Sequence, residues 1–205
     1  MGREYMLKVF FVRHAQPDHA WKDDRTRPLT EEGKRDSQFV KDFFKDKNID
    51  RFYSSPYKRS MDTIAESAAF FGKEIHTDER FREREKGTNG NNHGMLRKRW
   101  EDHTFHEKGG ESLSMVQERN IAALTEILKK YQHKKEDRSI VIGTHGTALS
   151  TILNYYDREY DCDSFLRIID WMPYIIELDF EEENLIRKQE HLHIQKEFKG
   201  KGYKL

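Results

Sequence analysis

The stretch "VFFVRHAQPDHAW", residues 9–21, sets four apolar residues, Val9 to Val12, directly before an arginine and a histidine. A continuous β-branched and aromatic run of this length suits a strand buried on both faces, as in a parallel sheet with helices on either side. Strands end somewhere, and polar residues sit where they end, so Arg13 and His14 alone need no function. A second stretch changes the weighing. "IVIGTHG", residues 140–146, repeats the form: buried strand, histidine, small residue, then a turn or helix. In a parallel sheet the C-terminal ends of strands share one edge, where ligands of open α/β folds bind. The pattern predicts His14 and His145 facing each other across one crevice. Ala15 and Gly146, the small residues that follow them, admit close backbone approach.

Working outward, the chain alternates strands with helices. Besides 9–12, apolar strand segments read as "FYSS" at 52–55, "SIVIGTH" at 139–145, "FLRIID" at 165–170 and "YIIELDF" at 174–180. "NLIRK" and "HLHIQ" are marginal strands. Thr30 caps a helix running to about Lys45, with Phe39, Val40, Phe43 and Phe44 on one face. Ser55-Pro56 reads as N-cap and first helical position of a second helix, striped by Tyr57, Met61, Ile64, Ala68 and Phe71. Arg59 projects roughly opposite that stripe in the first turn. There it is either a solvated arginine or one that reaches over the strand–helix corner toward an anion. Ser114 with Gln117 resembles a capping box for a third helix, through Ile121, Leu124, Ile127 and Leu128. A fourth follows His145 through Leu149, Ile152 and Leu153. The pattern implies an α/β fold, three-layer α/β/α with a mostly parallel central sheet.

Residues 86–110, "KGTNGNNHGMLRKRWEDHTFHEKGG", break the pattern, being polar and rich in Gly and Asn. We expect a flap or cap inserted in one domain spanning 1–205, since long irregular insertions are often functional; a disordered loop is the alternative. The tail from Lys196, "KEFKGKGYKL", is basic and expected to be mobile.

Composition excludes several classes. Thirteen Phe and nine Tyr argue for a core, and 37 basic residues balance 37 acidic ones, so no global field attracts nucleic acid or a membrane. "RKRW" at 97–100 could stack on nucleic acid or grip the anionic far end of a substrate, or do neither. No apolar run approaches the ~18 residues of a membrane span, and the N-terminal apolar segment is too short for a signal peptide. One cysteine, Cys162, cannot form an internal disulfide, and its acidic neighbours in "YDCDS" would raise a thiol pKa, so it reads as structural. A cytoplasmic protein is expected. The pairs His103/His106 and His191/His193 lack third and fourth ligands, so no metal and no cofactor is expected.

Five ordered blocks, "VRHAQ", "FYSSPYKRSMDT", "RFREREKG", "GGES" and "VIGTHGTAL", resemble the histidine phosphatase superfamily, the phosphoglycerate mutase-like proteins. "PLTEEGKRDS" also looks like that family's first helix. The resemblance implies a role for each matching position. His14 is the nucleophile that becomes phosphorylated; Arg13, Arg59 and His145 hold the phosphoryl group. Glu83, in "FRE" four residues before Gly87, is the acid that protonates the leaving oxygen, Glu85 fitting the motif less well. Gln16 is a further phosphate ligand. Departures are Ala15 where the family usually has glycine, and Pro17 and Ala20 where it has hydrogen-bonding residues. "GGES" looks more like the phosphatase members, and Glu111 in it is assigned at most a loop contact.

The chemistry of that set is coherent. A neutral imidazole attacks phosphorus without prior deprotonation. Two arginines and a protonated His145 would stabilise charge on the equatorial oxygens without a metal. The resemblance thus implies a metal-independent phosphomonoesterase of the histidine acid phosphatase type, acting on a small phosphorylated metabolite through a phosphohistidine. The alternatives are a phosphoglycerate mutase and a non-catalytic phosphate-binding module on the same fold.

Overall fold

In the computed structural model, which describes residues 5–88, 95–132, 134 and 136–197, the opening stretch forms strand β1, Leu7–Arg13. Val9 and Phe11 enter one hydrophobic cluster, Phe10 and Val12 another. Successive side chains of a strand point to opposite faces, so the run is apolar throughout because both faces are covered.

The elements that follow are α1 (Glu31–Phe44), β2 (Arg51–Ser54), α2 (Lys58–Phe70), β3 (Ile75–Thr77), a 3₁₀ turn (Glu79–Phe81), α3 (Leu96–Glu101) and α4 (Leu113–Tyr131). Then come β4 (Arg138–Thr144), α5 (Gly146–Tyr156), α6 (Cys162–Ile168), β5 (Trp171–Glu181) and β6 (Asn184–Gln195). The strands form one sheet in the order β3-β2-β4-β1-β5-β6. The first four run parallel, and β5 and β6 are antiparallel to their neighbours. α1 and α2 cover the face bearing Phe10 and Val12, through Val40, Phe44, Ile64 and Ala68. α4, α5 and α6 cover the other, through Leu124, Leu128, Leu149, Ile152 and Phe165. The result is the three-layer α/β/α arrangement with a mostly parallel sheet.

Some local expectations are corrected. Thr30 does cap α1, accepting from Gly33 N at 2.9 Å, but Phe39 is 53% exposed, one residue off the stripe that Val40 and Phe44 define. The cap of α4 is Ser112, two residues before the expected Ser114, with Ser112 Oγ accepting from Met115 N. "FLRIID" is not a strand: Asp161 accepts from Ser164 N and starts α6, and Cys162, Phe165 and Ile168 are buried at helical spacing. "NLIRK" and "HLHIQ" are one twelve-residue strand, β6, polar because it is an edge strand largely exposed to water. β3, three residues on the opposite edge, carries no apolar signal of its own.

Segment 86–110 leaves and returns at one point, where Lys86 pairs with Gly110 in an antiparallel bridge. Gly87, at φ +72°, makes this neck possible: a Cβ there would fall 2.8 Å from Lys108 O and 2.9 Å from Gly110 N. Residues 89–94 of the expected flap lie outside the described residues, as do 198–205 of the basic tail. Within the segment, α3 carries Trp100 into the core against Tyr160 and Phe165. "RKRW" is therefore not a surface stacking platform: Arg99 and Trp100 are buried. Among the described residues no helix is long and apolar enough to cross a membrane. Cys162 is buried, and burial, more than its acidic neighbours, pushes its thiol pKa up.

Candidate active site

The strand order places β2, β4 and β1 side by side, so their C-terminal ends meet on one edge. Arg13 is in register with Thr144; His14 N donates to Thr144 O (3.1 Å) and Ser55 N to Gly143 O (3.0 Å). His145 thus sits between Ser55 and His14, and the two imidazoles meet with ring centroids 5.3 Å apart.

His14 is 6% exposed. Its Nδ1 lies 2.8 Å from Ala15 O. A carbonyl only accepts, so Nδ1 carries the hydrogen and Nε2 keeps its lone pair. Burial, then the charges of Arg59 and Arg13, hold the ring's pKa well below the ordinary histidine value, and the imidazole is neutral. Ala15 fits here without strain: its N donates to Thr63 Oγ1 (2.9 Å), and among the described non-glycine residues only Glu182 has positive φ.

His145 is fully buried, edge-on to Tyr57, with Nε2 2.7 Å from Ser55 Oγ. Burial, then Arg59 and His14, push its pKa well down too. This surrounding favours the neutral form of the ring. Its Nδ1 is buried without a hydrogen-bond partner among the described residues. Ser55 is not the N-cap of α2, which starts at Lys58 after Tyr57. Its hydroxyl instead ties Tyr57 N (3.2 Å) to His145.

Arg13 and Arg59 flank the histidines, both largely buried. Arg13 Nη1 and Nη2 donate to Ile168 O (2.5 Å) and Ile169 O (2.8 Å), at the electronegative C-terminal end of α6. Gly146 makes room for it: a Cβ there would sit 3.1 Å from Arg13 Nη2. Arg59 is not solvated. Its Nη1 donates to Asp24 O (2.6 Å), lies 3.4 Å from Asp24 Oδ1, and its guanidinium covers the Tyr57 ring at 4.9 Å.

Glu83 sits on the N-terminus of α5. Its Oε2 accepts from Thr147 N (3.1 Å), and its Oε1 from Ala148 N (3.2 Å) and Arg84 N (2.8 Å). The backbone carrying it is braced by Arg119, all five of whose guanidinium hydrogens are used: on Arg80 O, Arg82 O, Glu83 O and both Glu111 oxygens. Glu111 also receives Arg82 and Glu85 N. Burial would raise the Glu111 carboxyl, but the hydrogen bonds from Arg119 and Arg82 override it and hold the pKa at about 2. Its loop contact is thus the joint that fixes the Glu83 segment.

Arg13, His14, Arg59, Glu83 and Thr147 are among the residues lining a cavity of about 140 Å³; His145, buried beside His14, is not on its lining. Gln16 is not on it either; Gln16 Oε1 accepts from Thr30 Oγ1 (2.9 Å) and secures the start of α1. The structure adds His19, Arg27, Arg84, Lys86 and Arg99 to the lining. They lie in charge-rich runs, where nothing in the spacing separates a cavity arginine from a solvated one. The discounted histidines are engaged elsewhere: His103 against Trp100, His106 on Glu107 O, His191 on Glu177 and His193 stacked on Trp171.

A family model described as the histidine phosphatase superfamily (branch 1) matches residues 9–184. Phosphoserine phosphatase 1 of Hydrogenobacter thermophilus is 28% identical over 157 residues, 68% of this chain and 71% of that protein. A mycobacterial glucosyl-3-phosphoglycerate phosphatase superposes with a TM-score of 0.73 at 18% identity, covering 90% of this chain and 97% of its own. A phosphoglycerate mutase from Bacillus anthracis superposes at 0.70 and 13% identity, covering 89% and 92%. At such identities the two structures share the fold and no more is read from them.

Proposed function

The chain belongs to the histidine phosphatase superfamily, and from that premise we propose that it is a phosphomonoesterase working through a phosphohistidine at His14. One observation carries the reading: a neutral His14, its Nδ1 fixed on Ala15 O at 2.8 Å, stands in a cavity it shares with two arginines and a carboxylate.

In the first step the Nε2 lone pair attacks the phosphorus of a monoester. The P–N bond forms, the ester P–O bond breaks, and the departing oxygen takes a proton from Glu83. In the second, the Glu83 carboxylate accepts a proton from water while the water oxygen attacks phosphorus, releasing phosphate and restoring His14. Arg13 and Arg59 stabilise the charge on the equatorial oxygens. Binding of a phosphate dianion reverses the local field that holds His145 neutral, so a proton taken up there with the substrate becomes a third positive charge on the phosphoryl group. These groups supply the charge that a metal supplies elsewhere, so the reaction needs none.

The small cavity, and the phosphatases among the relatives, favour a small phosphorylated metabolite as substrate. The test is hydrolysis of p-nitrophenyl phosphate in the presence of a chelator. We expect turnover by the native protein and a loss of ~10³-fold or more in His14→Ala, the nucleophile being the step on which both displacements depend. Undiminished hydrolysis by His14→Ala overturns the mechanism. With a phosphorylated hydroxy acid, isomerisation without phosphate release indicates a mutase, and phosphate binding without turnover a binding module.

A further inference from the structure

Behind the phosphate end of the cavity stands a carboxylate to which the family resemblance gives no role. Asp24, in "KDDRTR", is off the cavity lining, yet its Oδ1 gathers three cations that are all on it. Arg27 Nη1 lies at 2.5 Å, Arg59 Nη1 at 3.4 Å and Lys86 Nζ at 3.9 Å. The three come from different parts of the chain: the loop after β1, the first turn of α2 and the neck of segment 86–110. The Arg27 and Arg59 side chains are only 12% and 4% exposed. Like charges so close and so far from water repel one another unless an anion lies among them.

The loop that carries Asp24 is built to hold it there. Pro17 bridges Leu29, and Asp18 N donates to Pro28 O (2.9 Å), so the loop leaves and returns at one point. Arg25 O accepts from Lys58 N (2.8 Å) at the start of α2, while the Arg25 guanidinium pairs with Glu79 and covers Tyr57. Arg59 is anchored on this loop through one nitrogen, Nη1, which also donates to Asp24 O (2.6 Å). Its Nε and Nη2 have no hydrogen-bond partner among the described residues, on a side chain that lines the cavity. One edge of the guanidinium fork is thus left for phosphoryl oxygens.

We propose that Asp24 is a positioning residue: its charge, shared among Arg27, Arg59 and Lys86, aims the free edge of Arg59 at the phosphoryl group facing His14. It touches no substrate and acts through Arg59. The inference rests on the phosphomonoesterase reading.

The isosteric variant Asp24→Asn removes the charge and keeps the backbone carbonyl. Arg59 then stays in the site without a fixed aim, so the transition state loses more than bound phosphate does. With p-nitrophenyl phosphate we expect kcat to fall ~10- to 100-fold, the scale of misplacing one group in an aligned site. Inhibition by inorganic phosphate should be no weaker than in the native protein, because the charge removed repels phosphate. In an Arg59→Gln background the same substitution should lower kcat by less than ~3-fold, having nothing left to act through. Poor folding would lower the rate in both backgrounds, so it cannot imitate that result. A native kcat in Asp24→Asn overturns the proposal. So do losses that multiply in the double variant, or phosphate inhibition weakened as much as kcat. No turnover by the native protein overturns the underlying reading instead.

Discussion

At the scale of the residue, the decisive contact is the one between His14 Nδ1 and Ala15 O at 2.8 Å. It selects the tautomer in which Nε2 is the nucleophile, and burial beside Arg59 and Arg13 keeps the ring neutral. His145 is neutral for the same reasons, burial first. Nuclear magnetic resonance of histidine-labelled protein without phosphate should therefore show two imidazoles that stay neutral as pH falls through the ordinary value of 6.5. Two buried rings titrating at that value would contradict the electrostatic picture. The residue scale is also where sequence reading went furthest. His14 and His145 are marked by their matching strand ends, whereas Arg13 and Arg59 take their roles from the family resemblance; the cavity collects His14, Arg13 and Arg59. Ser55 carries no such mark, because a serine before proline looks like a helix cap whether or not its hydroxyl holds a histidine. Arg84 carries none either, because in "RFREREK" a buried charge and a solvated one are written alike.

At the scale of the element, the loop after β3 matters most. Glu83 reaches α5 only because Arg119, on α4, spends all its donors on that loop and on Glu111. If Glu83 is the acid, Arg119→Gln should damage proton delivery more than phosphate binding. We expect a loss in kcat of ~10- to 100-fold, within the ~10²–10⁴-fold scale of general acid catalysis, for an alkyl phosphate such as glycerol 3-phosphate. The loss should be clearly smaller for p-nitrophenyl phosphate, whose leaving group needs little help. Equal losses on both would reduce Arg119 to a general structural role. Elements buried on both faces, β1 and β4, were legible because their residues have no choice but to be apolar. Of the edge strands, β3 carries no signal and β6 reads only as two marginal pieces, since water satisfies one side of them. The seven-residue α6 was mistaken for a strand because an apolar pair beside Phe165 hid the i, i+3 spacing of its buried residues.

At the scale of the whole molecule, the sheet is the mount and the buried polar edge its liability. For His14 and His145 the folded pKa lies below the unfolded value of 6.5. Between the two values the unfolded chain binds protons that the folded protein refuses, so stability falls as pH drops below 6.5 and is insensitive to these groups above it. Carboxylates held low, such as Glu111 at about 2 against 4.5, add a second loss at more acid pH. The melting temperature should thus begin to decline before the carboxylate range is reached, and His14→Gln should flatten that first decline. A melting temperature constant down to the carboxylate range would contradict it.

The central claim, a covalent phosphohistidine, is tested most directly by trapping it. Glu83→Gln lacks the base for the second displacement, while p-nitrophenyl phosphate needs no acid for the first, so mixing the two and quenching in alkali should accumulate the intermediate. Peptide mass spectrometry should then find phosphate on the peptide bearing His14, stable to alkali and lost in acid, and absent when His14→Ala is added. Phosphate on another residue, or nitrophenolate released at a normal rate with no phosphorylated His14 at any time point, would contradict the account.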